Sequence, residues 1–393
     1  MNPINNPFVP GAGTPPAKLA GRDDLLERTR ITLARVKAGR SAKSFIVVGL
    51  RGVGKTVLLN QIYEKAEELG YNAVQIEAHE EKSLPALLIP KLRQILIRLD
   101  RGKKASFLAK KALGVLAAFA NSIKITYEDV EVGLSVTPEV GSADSGDLEM
   151  DLADLFEAVA RAANEKQTAI LLAIDELQYI KEVEMSALIM AIHRIAQRQL
   201  PLILIGGGLP QLVGLAGKSK SYAERLFDYP EVGALRYEDA CDAIKDPIET
   251  EGATITCPAI DKICELTHGY PYFLQTWGHY AWNEAENDSI DVADIEKATP
   301  LVIKNLDESF FRVRFDRLTP TEKQYLFAMA ELGPGPHRSG DIAKVMKKEV
   351  QSVAPFRSSL IKKGMIYSPA HGDTAFTVPM FDEYLKRIST KGS

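Results

Sequence analysis

Apolar runs of four to seven residues alternate with amphipathic stretches along the first 235 residues of the chain. Because the third run is a continuous apolar stretch, it fits a strand buried on both faces of a sheet, and the stretches after the first three runs have helical length. The four clear runs span residues 45–48, 73–76, 168–174 and 201–205, and a weaker fifth spans 231–235. This alternation predicts an α/β fold with a parallel sheet.

The chain between the second and third runs is longer than one crossover helix requires. Residues 84–99 and 107–119 have helical patterns. Residues 123–136 alternate as in a β-hairpin, and residues 138–151 are polar and acidic, which predicts a mobile loop. Because acidic groups disfavour contact with phosphate, we expect this insertion, at about 100–150, to serve structure or oligomerisation. A role in binding a partner stays open.

Two regions follow the predicted sheet. Residues 237–315 have helical patterns interrupted at Pro, Gly and Asn, which predicts a small helical domain. Residues 316–393 predict three helices and then two short strands, the order of a winged helix-turn-helix. Pro355 suits the first turn of the third helix, and Gly364 suits its end. The predicted domains are therefore 1–236, 237–315 and 316–393.

Composition narrows the class of protein. At 393 residues the chain has room for two or three domains of ordinary globular composition. Its three cysteines have no C-x-x-C spacing, which argues against zinc and a disulfide framework and indicates a reducing compartment. The first 19 residues lack the apolar core of a signal peptide. The longest apolar segment, residues 112–120, is far shorter than the roughly 20 residues that cross a bilayer. We expect a cytoplasmic protein without membrane contact, in which this segment is a buried helix.

Basic residues are concentrated in the last region. Residues 316–393 carry 12 Lys+Arg against 8 Asp+Glu, whereas the whole chain has a net charge of −4. On the third helix, Arg357, Lys362 and Lys363 are expected to face solvent. In a helix-turn-helix this helix enters the major groove, so these residues are candidate contacts to duplex DNA. Because the positive excess is small, a winged helix that binds a protein instead stays open.

The residues directly after the first strand match the pattern G-x-x-x-x-G-K-[ST]. They are Gly49, Leu50, Arg51, Gly52, Val53, Gly54, Lys55 and Thr56, and Val57 continues into an amphipathic run. Glycines let backbone N–H groups curl around an anion, and the following helix N-terminus carries partial positive charge. Lys55 and Thr56 can then reach the terminal phosphates and Mg²⁺. The pattern predicts a binding site for a nucleoside triphosphate.

The third apolar run ends in two acids, Asp175 and Glu176. Acids at the carboxyl end of a parallel strand fall in the crevice where α/β sheets bind ligands. Asp175 is placed to hold Mg²⁺, and Glu176 is placed to polarise the attacking water.

These features together resemble the AAA+ ATPases, in the branch shared by the origin-recognition initiators and the STAND signalling ATPases. The resemblance covers nearly the whole chain and implies a P-loop ATPase sheet domain with ATP and Mg²⁺ as ligands, a helical lid at 237–315 and a nucleotide-dependent homo-oligomer. It also implies roles for five residues outside the two motifs. They are Arg22 beside the adenine pocket, Gly269, Tyr270 and Pro271 in the lid element that approaches the base, and Arg225 as an arginine that reaches a nucleotide across a subunit interface.

Two departures from this family pattern indicate slow hydrolysis. The fourth strand ends in Gly206, Gly207 and Gly208, where these ATPases carry a polar side chain that senses the nucleotide. No arginine occurs between Arg236 and Arg312, so the lid lacks the second sensor arginine of the initiators.

The function predicted from the sequence is an ATP-driven switch whose nucleotide state controls assembly and DNA binding through the winged helix. The alternative is a STAND-like signalling or defence regulator that uses the winged helix to hold a protein partner. A P-loop kinase is disfavoured, because no polar acceptor site is evident.

Overall fold

The computed structural model describes residues 1–101, 106–123, 137–220, 223–370 and 372–391. The chain divides into two compact units. The sheet unit comprises Asp23–Gly49 and Lys55–Glu231, and the C-terminal unit comprises Met1–Arg22, Leu50–Gly54 and Val232–Ser393. Among the described residues, no helix combines the length and the apolar character needed to cross a membrane.

The sheet unit is built on five parallel strands in the order β2-β3-β4-β1-β5. The strands are β1 Ser44–Val48, β2 Asn72–Glu77, β3 Ile170–Asp175, β4 Leu202–Gly208 and β5 Phe227–Asp228. Every residue of β1, β3 and β4 is buried, which explains why their sequences are apolar without alternation. The predicted α/β fold and its four clear strands are confirmed.

The fifth strand was predicted four residues too late. Glu231 makes an isolated bridge with Val48, whereas the strand itself is Phe227–Asp228. Pro230 separates the two and has no N–H to donate to a ladder, although its carbonyl accepts from Val48 N–H at 3.0 Å.

Within the described part of this unit, eight helices accompany the sheet. They are α1 Asp23–Lys37, α2 Lys55–Glu68, α3 Leu84–Asp100, α4 Phe107–Ser122, α5 Leu148–Glu165, α6 Glu182–Gln197, α7 Leu212–Ser219 and α8 Ala223–Leu226, and a 3₁₀ turn spans Leu177–Tyr179. The two helices predicted in the insertion are confirmed as α3 and α4. Residues 112–120 lie on α4 and are all buried, as predicted.

The predicted loop at 138–151 is confirmed up to Asp147, whereas its last four residues form the first turn of α5. Asp147 caps α5 by accepting from the backbone N–H groups of Glu149 and Met150. Asp151 is 1% exposed and accepts from Ser145 and Gly146 at 2.7–3.1 Å. The loop was predicted to extend too far because these carboxylates satisfy nearby donors instead of facing water. The predicted hairpin, beyond Ile123, lies outside the described residues.

The C-terminal unit is mainly helical. Its helices are α9 Tyr237–Thr250, α10 Cys257–Thr267, α11 Pro271–Glu284, α12 Val292–Asn305, α13 Arg312–Phe315, α14 Pro320–Glu331, α15 Ser339–Val345, α16 Val350–Lys362 and α17 Phe381–Lys391, with a 3₁₀ turn at Pro3–Asn5 and a π-helical segment at Leu306–Phe311. Its strands are β6 Thr254–Ile255, β7 Ser289–Ile290, β8 His337–Arg338, β9 Ile366–Tyr367 and β10 Asp373–Phe376, and the last three form a sheet in the order β8-β10-β9. Helices therefore dominate residues 237–315, as the sequence predicts.

Helix α16 begins at Val350, five residues before the predicted start. Pro355 therefore lies inside the helix and not in its first turn. Its missing N–H removes one bond of the helical ladder, which the remaining turns tolerate.

Candidate nucleotide site

The phosphate loop begins after β1 and ends where α2 begins at Lys55. Gly52 and Gly54 have φ of +79° and +89°, a region that favours glycine. Lys55 is 6% exposed, and its Nζ donates to the Gly49 carbonyl at 2.9 Å. The ammonium group therefore lies against the start of the loop, within reach of an anion held by the loop.

Two oxygen ligands suited to Mg²⁺ lie together at the end of β3. Thr56 Oγ1 donates to Asp175 Oδ2 at 2.6 Å, and Glu176 N–H donates to Asp175 Oδ1 at 2.8 Å. Burial raises the pKa of Asp175 and the Glu176 charge adds to this, against the opposing bond from Thr56. Since a nearby cation would favour the ionised carboxylate, the residues fit a divalent ion.

No cluster of three or more His, Cys, Asp or Glu side chains that could hold a metal was found within the described part of the chain. One carboxylate and one hydroxyl suit Mg²⁺, which takes its remaining ligands from water and nucleotide phosphates. The ion would therefore depend on the nucleotide.

Glu176 occupies a backbone conformation that is uncommon for a residue other than glycine. Its φ and ψ are +54° and +38°, in the left-handed region. Such residues concentrate at functional sites, where the surrounding structure compensates their cost of about 1–3 kcal/mol. The Glu176 carboxylate is half-buried and accepts a hydrogen bond from Gln178 Nε2.

The three glycines at the end of β4 make room for the segment after β3. A Cβ on Gly206 would lie 2.3 Å from Leu177 Cδ1, one on Gly207 would lie 2.7 Å from Asp175 Oδ1, and one on Gly208 would lie 2.9 Å from Gln178 Oε1. A polar side chain on this strand end would displace the acidic pair. The lack of space at the end of β4 thus explains why this strand carries glycines and no polar side chain.

In the C-terminal unit, the tip of the phosphate loop is held by hydrogen bonds from the helical region. Tyr270 Oη donates to the Arg51 carbonyl, and Tyr272 N–H donates to the Gly52 carbonyl at 3.2 Å. Arg22 donates to the carbonyls of Val53 and Gly233 at 3.4 Å and 2.7 Å. Two of the residues taken from the resemblance, Arg22 and Tyr270, are thus brought to the loop.

Gly269 and Pro271 shape the turn that carries Tyr270. Gly269 has φ of +70°, and a Cβ there would lie 2.5 Å from the Leu235 carbonyl oxygen. Pro271 is the first residue of α11. Glycine and proline therefore serve the backbone here, and Tyr270 makes the contact.

Arg51 joins the loop tip to the last domain. Its N–H donates to the Thr377 carbonyl at 3.3 Å, and its Nε donates to the Gly364 carbonyl at 3.2 Å. Gly364 follows α16, and Thr377 follows β10. The loop is therefore in direct contact with the residues on both sides of the β9–β10 hairpin.

Sequence reasoning missed Gln178 beside Glu176, and it missed two residues near the loop, Tyr272 and Arg314. The Arg314 guanidinium lies 4.0 Å from the centroid of Phe310, whose ring stacks on Tyr272 at 4.5 Å. Burial and then the nearby Arg51 charge lower the pKa of Arg314. No pattern in the sequence marks these positions, because their proximity to the loop arises from tertiary packing.

Arg225 lies far along the sheet from its own phosphate loop. Arg225 is exposed on α8. Two residues later, Phe227 pairs with Ser44 at the start of β1. The loop leaves β1 after Val48, about 13 Å further on at ~3.3 Å per residue. Arg225 also lines a cavity of about 210 Å³ together with Arg40 and Lys43.

Two of the three candidate DNA contacts have partners inside the protein. Arg357 donates to Thr374 Oγ1, Ser368 Oγ and the Asp373 carbonyl, each at 2.8 Å. Lys363 pairs with Glu322 at 2.8 Å. Lys362 is exposed. The predicted solvent-facing position therefore holds for Lys362, whereas Arg357 and Lys363 are half-buried because each satisfies polar groups of neighbouring elements.

Glu322 explains why Lys363 is fixed. Burial alone would raise the pKa of Glu322, but hydrogen bonds from Lys363, Ser359 and the Thr319 cap outweigh it and lower the pKa to about 2. The carboxylate is 3% exposed and is ionised at neutral pH. A buried charge of this kind requires its partner, so Lys363 serves the packing of α14 against α16.

The parallel sheet, the glycine-rich loop and the Lys55, Thr56 and Asp175 group define a P-loop nucleoside triphosphatase. Residues 18–205 match the family described as AAA ATPase domain, and residues 308–385 match a domain of unknown function (DUF8462). The region 18–205 is thus an AAA+ P-loop ATPase domain. The prediction of an ATPase of this type is confirmed.

Several known proteins are similar to this chain in sequence or structure. An uncharacterized HTH-type transcriptional regulator of Methanocaldococcus jannaschii is 22% identical over 351 residues, which cover 86% of this chain and 80% of the relative. A Walker-type ATPase of Pyrococcus abyssi shares the fold, with a TM-score of 0.56, 17% identity and coverage of 94% of this chain and 96% of that chain. The Orc1 protein of Aeropyrum pernix, solved in complex with DNA, gives a TM-score of 0.47 at 15% identity, covering 96% and 95%.

Proposed function

We propose that the protein is an ATP-dependent switch in which the state of the phosphate loop controls the C-terminal domain. The observation that carries this proposal is the pair of hydrogen bonds from Arg51 to Thr377 and Gly364. A phosphate-binding loop presents its backbone N–H groups to the nucleotide. The Arg51 N–H instead donates to the Thr377 carbonyl of the C-terminal domain. Nucleotide binding and this contact therefore compete for the same backbone group.

The geometry of the sheet unit supports four chemical roles. Lys55 holds the terminal phosphates, Thr56 and Asp175 hold Mg²⁺, and Glu176 polarises the attacking water. Mg²⁺, when bound, would neutralise charge that develops on the phosphate oxygens. Glu176 is half-buried at the turn after β3, which leaves part of its carboxylate accessible to water.

We further propose that the C-terminal domain is a winged helix-turn-helix that binds duplex DNA. The order α14, β8, α15, α16, β9, β10 and the small sheet β8-β10-β9 support this assignment. The Methanocaldococcus relative, by its name an HTH-type transcriptional regulator, supports it as well. In this arrangement α16 is the helix that enters the major groove.

The basic side chains available to phosphate are partly different from those the sequence suggested. Lys347 and Lys348, in the turn between α15 and α16, are exposed, as is Lys362. None of the three has an ion pair with another described residue. Arg357, with Lys363, is proposed to hold the helix and the wing in place for binding.

The proposed function is tested by measuring the affinity of the full-length protein for duplex DNA in three states: without nucleotide, with ADP, and with ATP and Mg²⁺. Allosteric coupling of about 1–3 kcal/mol would separate the affinities in ADP and ATP by roughly 5- to 150-fold. The Arg51→Ala variant loses the side-chain bond to Gly364 but keeps the backbone bond to Thr377, so it should reduce this ratio in part, whereas the exposed control Arg161→Ala should preserve it. Replacing Lys347, Lys348 and Lys362 with Ala should lower the salt slope by about 0.9 for each lost phosphate contact.

A protein-binding regulator is the second candidate, and one observation favours it. The exposed face of α16 is weakly charged: it presents Val350, Gln351, Ser352, Ala354, Pro355 and Ser358. Such a face suits a protein surface better than a phosphate backbone. Full-length protein that binds no duplex at about 50 mM salt in any nucleotide state would contradict the DNA proposal and leave this one.

We also propose that the protein assembles and that Arg225 acts on the nucleotide of a neighbouring copy. Its position at the start of β1, away from its own phosphate loop, supports action across an interface. A mixture of Arg225→Ala and Glu176→Gln proteins should recover ATPase activity, because about a quarter of interfaces pair an intact site with an intact arginine. A mixture with no more activity than the two separate proteins would make Arg225 an ordinary surface residue.

A further inference from the structure

Gln178 connects the water-polarising carboxylate to the end of β4. Its Nε2 donates to Glu176 Oε2, and its Oε1 accepts from Leu209 N–H at 3.1 Å. A carboxylate can only accept and an N–H can only donate, so the two partners fix the orientation of the amide. The side chain is therefore held at both ends.

The main chain on both sides of Gln178 is also fixed. The 3₁₀ turn Leu177–Tyr179 closes through Tyr179 N–H, which donates to the Glu176 carbonyl at 3.0 Å. Leu177 is fully buried beneath it. Glu176, in its left-handed conformation, is thus followed by a turn that has little freedom to move.

The glycines of β4 are what admit this arrangement. Gly208 leaves space for the Gln178 amide, since a Cβ there would lie 2.9 Å from Oε1. The Gly208 carbonyl in turn accepts from Gly49 N–H at 3.2 Å, at the first glycine of the phosphate loop. A continuous path of hydrogen bonds and backbone therefore runs from Glu176 through Gln178 and β4 to the phosphate loop.

We infer that Gln178 is a positioning residue, which holds the Glu176 carboxylate for the attack of water and supplies the polar group that the end of β4 lacks. This rests on the proposed role of Glu176. Gln178 itself takes no proton. It fixes the direction of an oxygen that would otherwise rotate freely about the side-chain bonds, and a misplacement of about 1 Å can cost a hundredfold in rate.

Steady-state ATP hydrolysis by full-length variants tests the inference. Gln178→Ala should lower kcat about tenfold to a hundredfold and leave KM and the ATP Kd within about twofold of the parent. Gln178→Glu has the same shape and can still accept from Leu209 N–H, but it cannot donate to Glu176 as a carboxylate and repels it, so its loss should be at least as large. The matched control is Gln197→Ala, at an exposed glutamine on α6, which should behave as the parent.

A double-mutant cycle separates positioning from general damage. In the Glu176→Gln background, adding Gln178→Ala should change the residual rate by less than about twofold, because the group to be positioned is gone. An equal loss in both backgrounds would overturn the inference, as would a Gln178→Ala turnover at or above that of the parent. If Glu176→Gln itself hydrolyses ATP normally, the role of Glu176 fails; if it is inactive while both Gln178 variants are fully active, the inference about Gln178 alone fails.

Discussion

Glu176→Gln is expected to retain ATP and Mg²⁺ while losing turnover by about 10²–10⁴-fold. The amide keeps the size of the carboxylate and can still hydrogen-bond to water, but it is a far weaker base. Lys55, Thr56 and Asp175, which are proposed to hold the nucleotide and the ion, are untouched by the change. Single-turnover hydrolysis measures the loss, and calorimetry with ATP and Mg²⁺ measures the retained affinity.

Glu182→Gln provides the matched control for this variant. Glu182 is exposed in the first turn of α6, so the same chemical change there should leave turnover as in the parent. Equal hydrolysis by Glu176→Gln and the parent would place the water-polarising group elsewhere. Loss of ATP affinity in Glu176→Gln would instead show that the exchange disturbs the bond from Glu176 N–H to Asp175.

Local patterns were sufficient to predict the sheet and the core of the site. Buried parallel strands require continuous apolar sequence, and a phosphate loop requires glycines at fixed spacing. These requirements act within a few residues, so they are visible without a structure. The placement of Thr56 beside Asp175, 2.6 Å apart, follows from the pairing of two such elements in one sheet.

The errors arose where a polar or charged side chain has a hydrogen-bond partner inside the protein. Asp151 was read as solvated because its neighbours are polar, yet it is buried and bonded to Ser145 and Gly146. Arg357 was read as a DNA contact because it lies on a predicted recognition helix, yet its guanidinium is bonded to Thr374 and Ser368. Composition indicates how often charged side chains face water, but it does not indicate which of them is hydrogen-bonded inside the fold.

The contacts of the loop tip could not be predicted for the same reason. Arg51 occupies a variable position of the phosphate-loop pattern, so the motif assigns it no role. Its partners Gly364 and Thr377 lie more than 300 residues away. The sequence predicted the sheet domain, the helical lid and the winged helix separately. The contact that Arg51 makes with the last domain depends on the tertiary fold, so the sequence did not reveal it.

Lys55→Ala is expected to weaken ATP binding by an order of magnitude or more. The ammonium is buried against the Gly49 carbonyl, and on binding it would exchange that neutral acceptor for charged phosphate oxygens. A charge-assisted hydrogen bond contributes roughly 2 kcal/mol, and each 1.4 kcal/mol is a factor of ten in affinity.

The control for Lys55→Ala lies on the same helix. Lys65 is exposed and pairs with Glu68 at 2.8 Å, so Lys65→Ala removes an equal charge without approaching the loop and should leave ATP affinity unchanged. Circular dichroism of both variants checks that α2 remains folded. Unchanged ATP affinity of Lys55→Ala by calorimetry would contradict the assigned phosphate site, whereas equal weakening in both variants would mean that the net charge of the helix, and not contact with phosphate, governs binding.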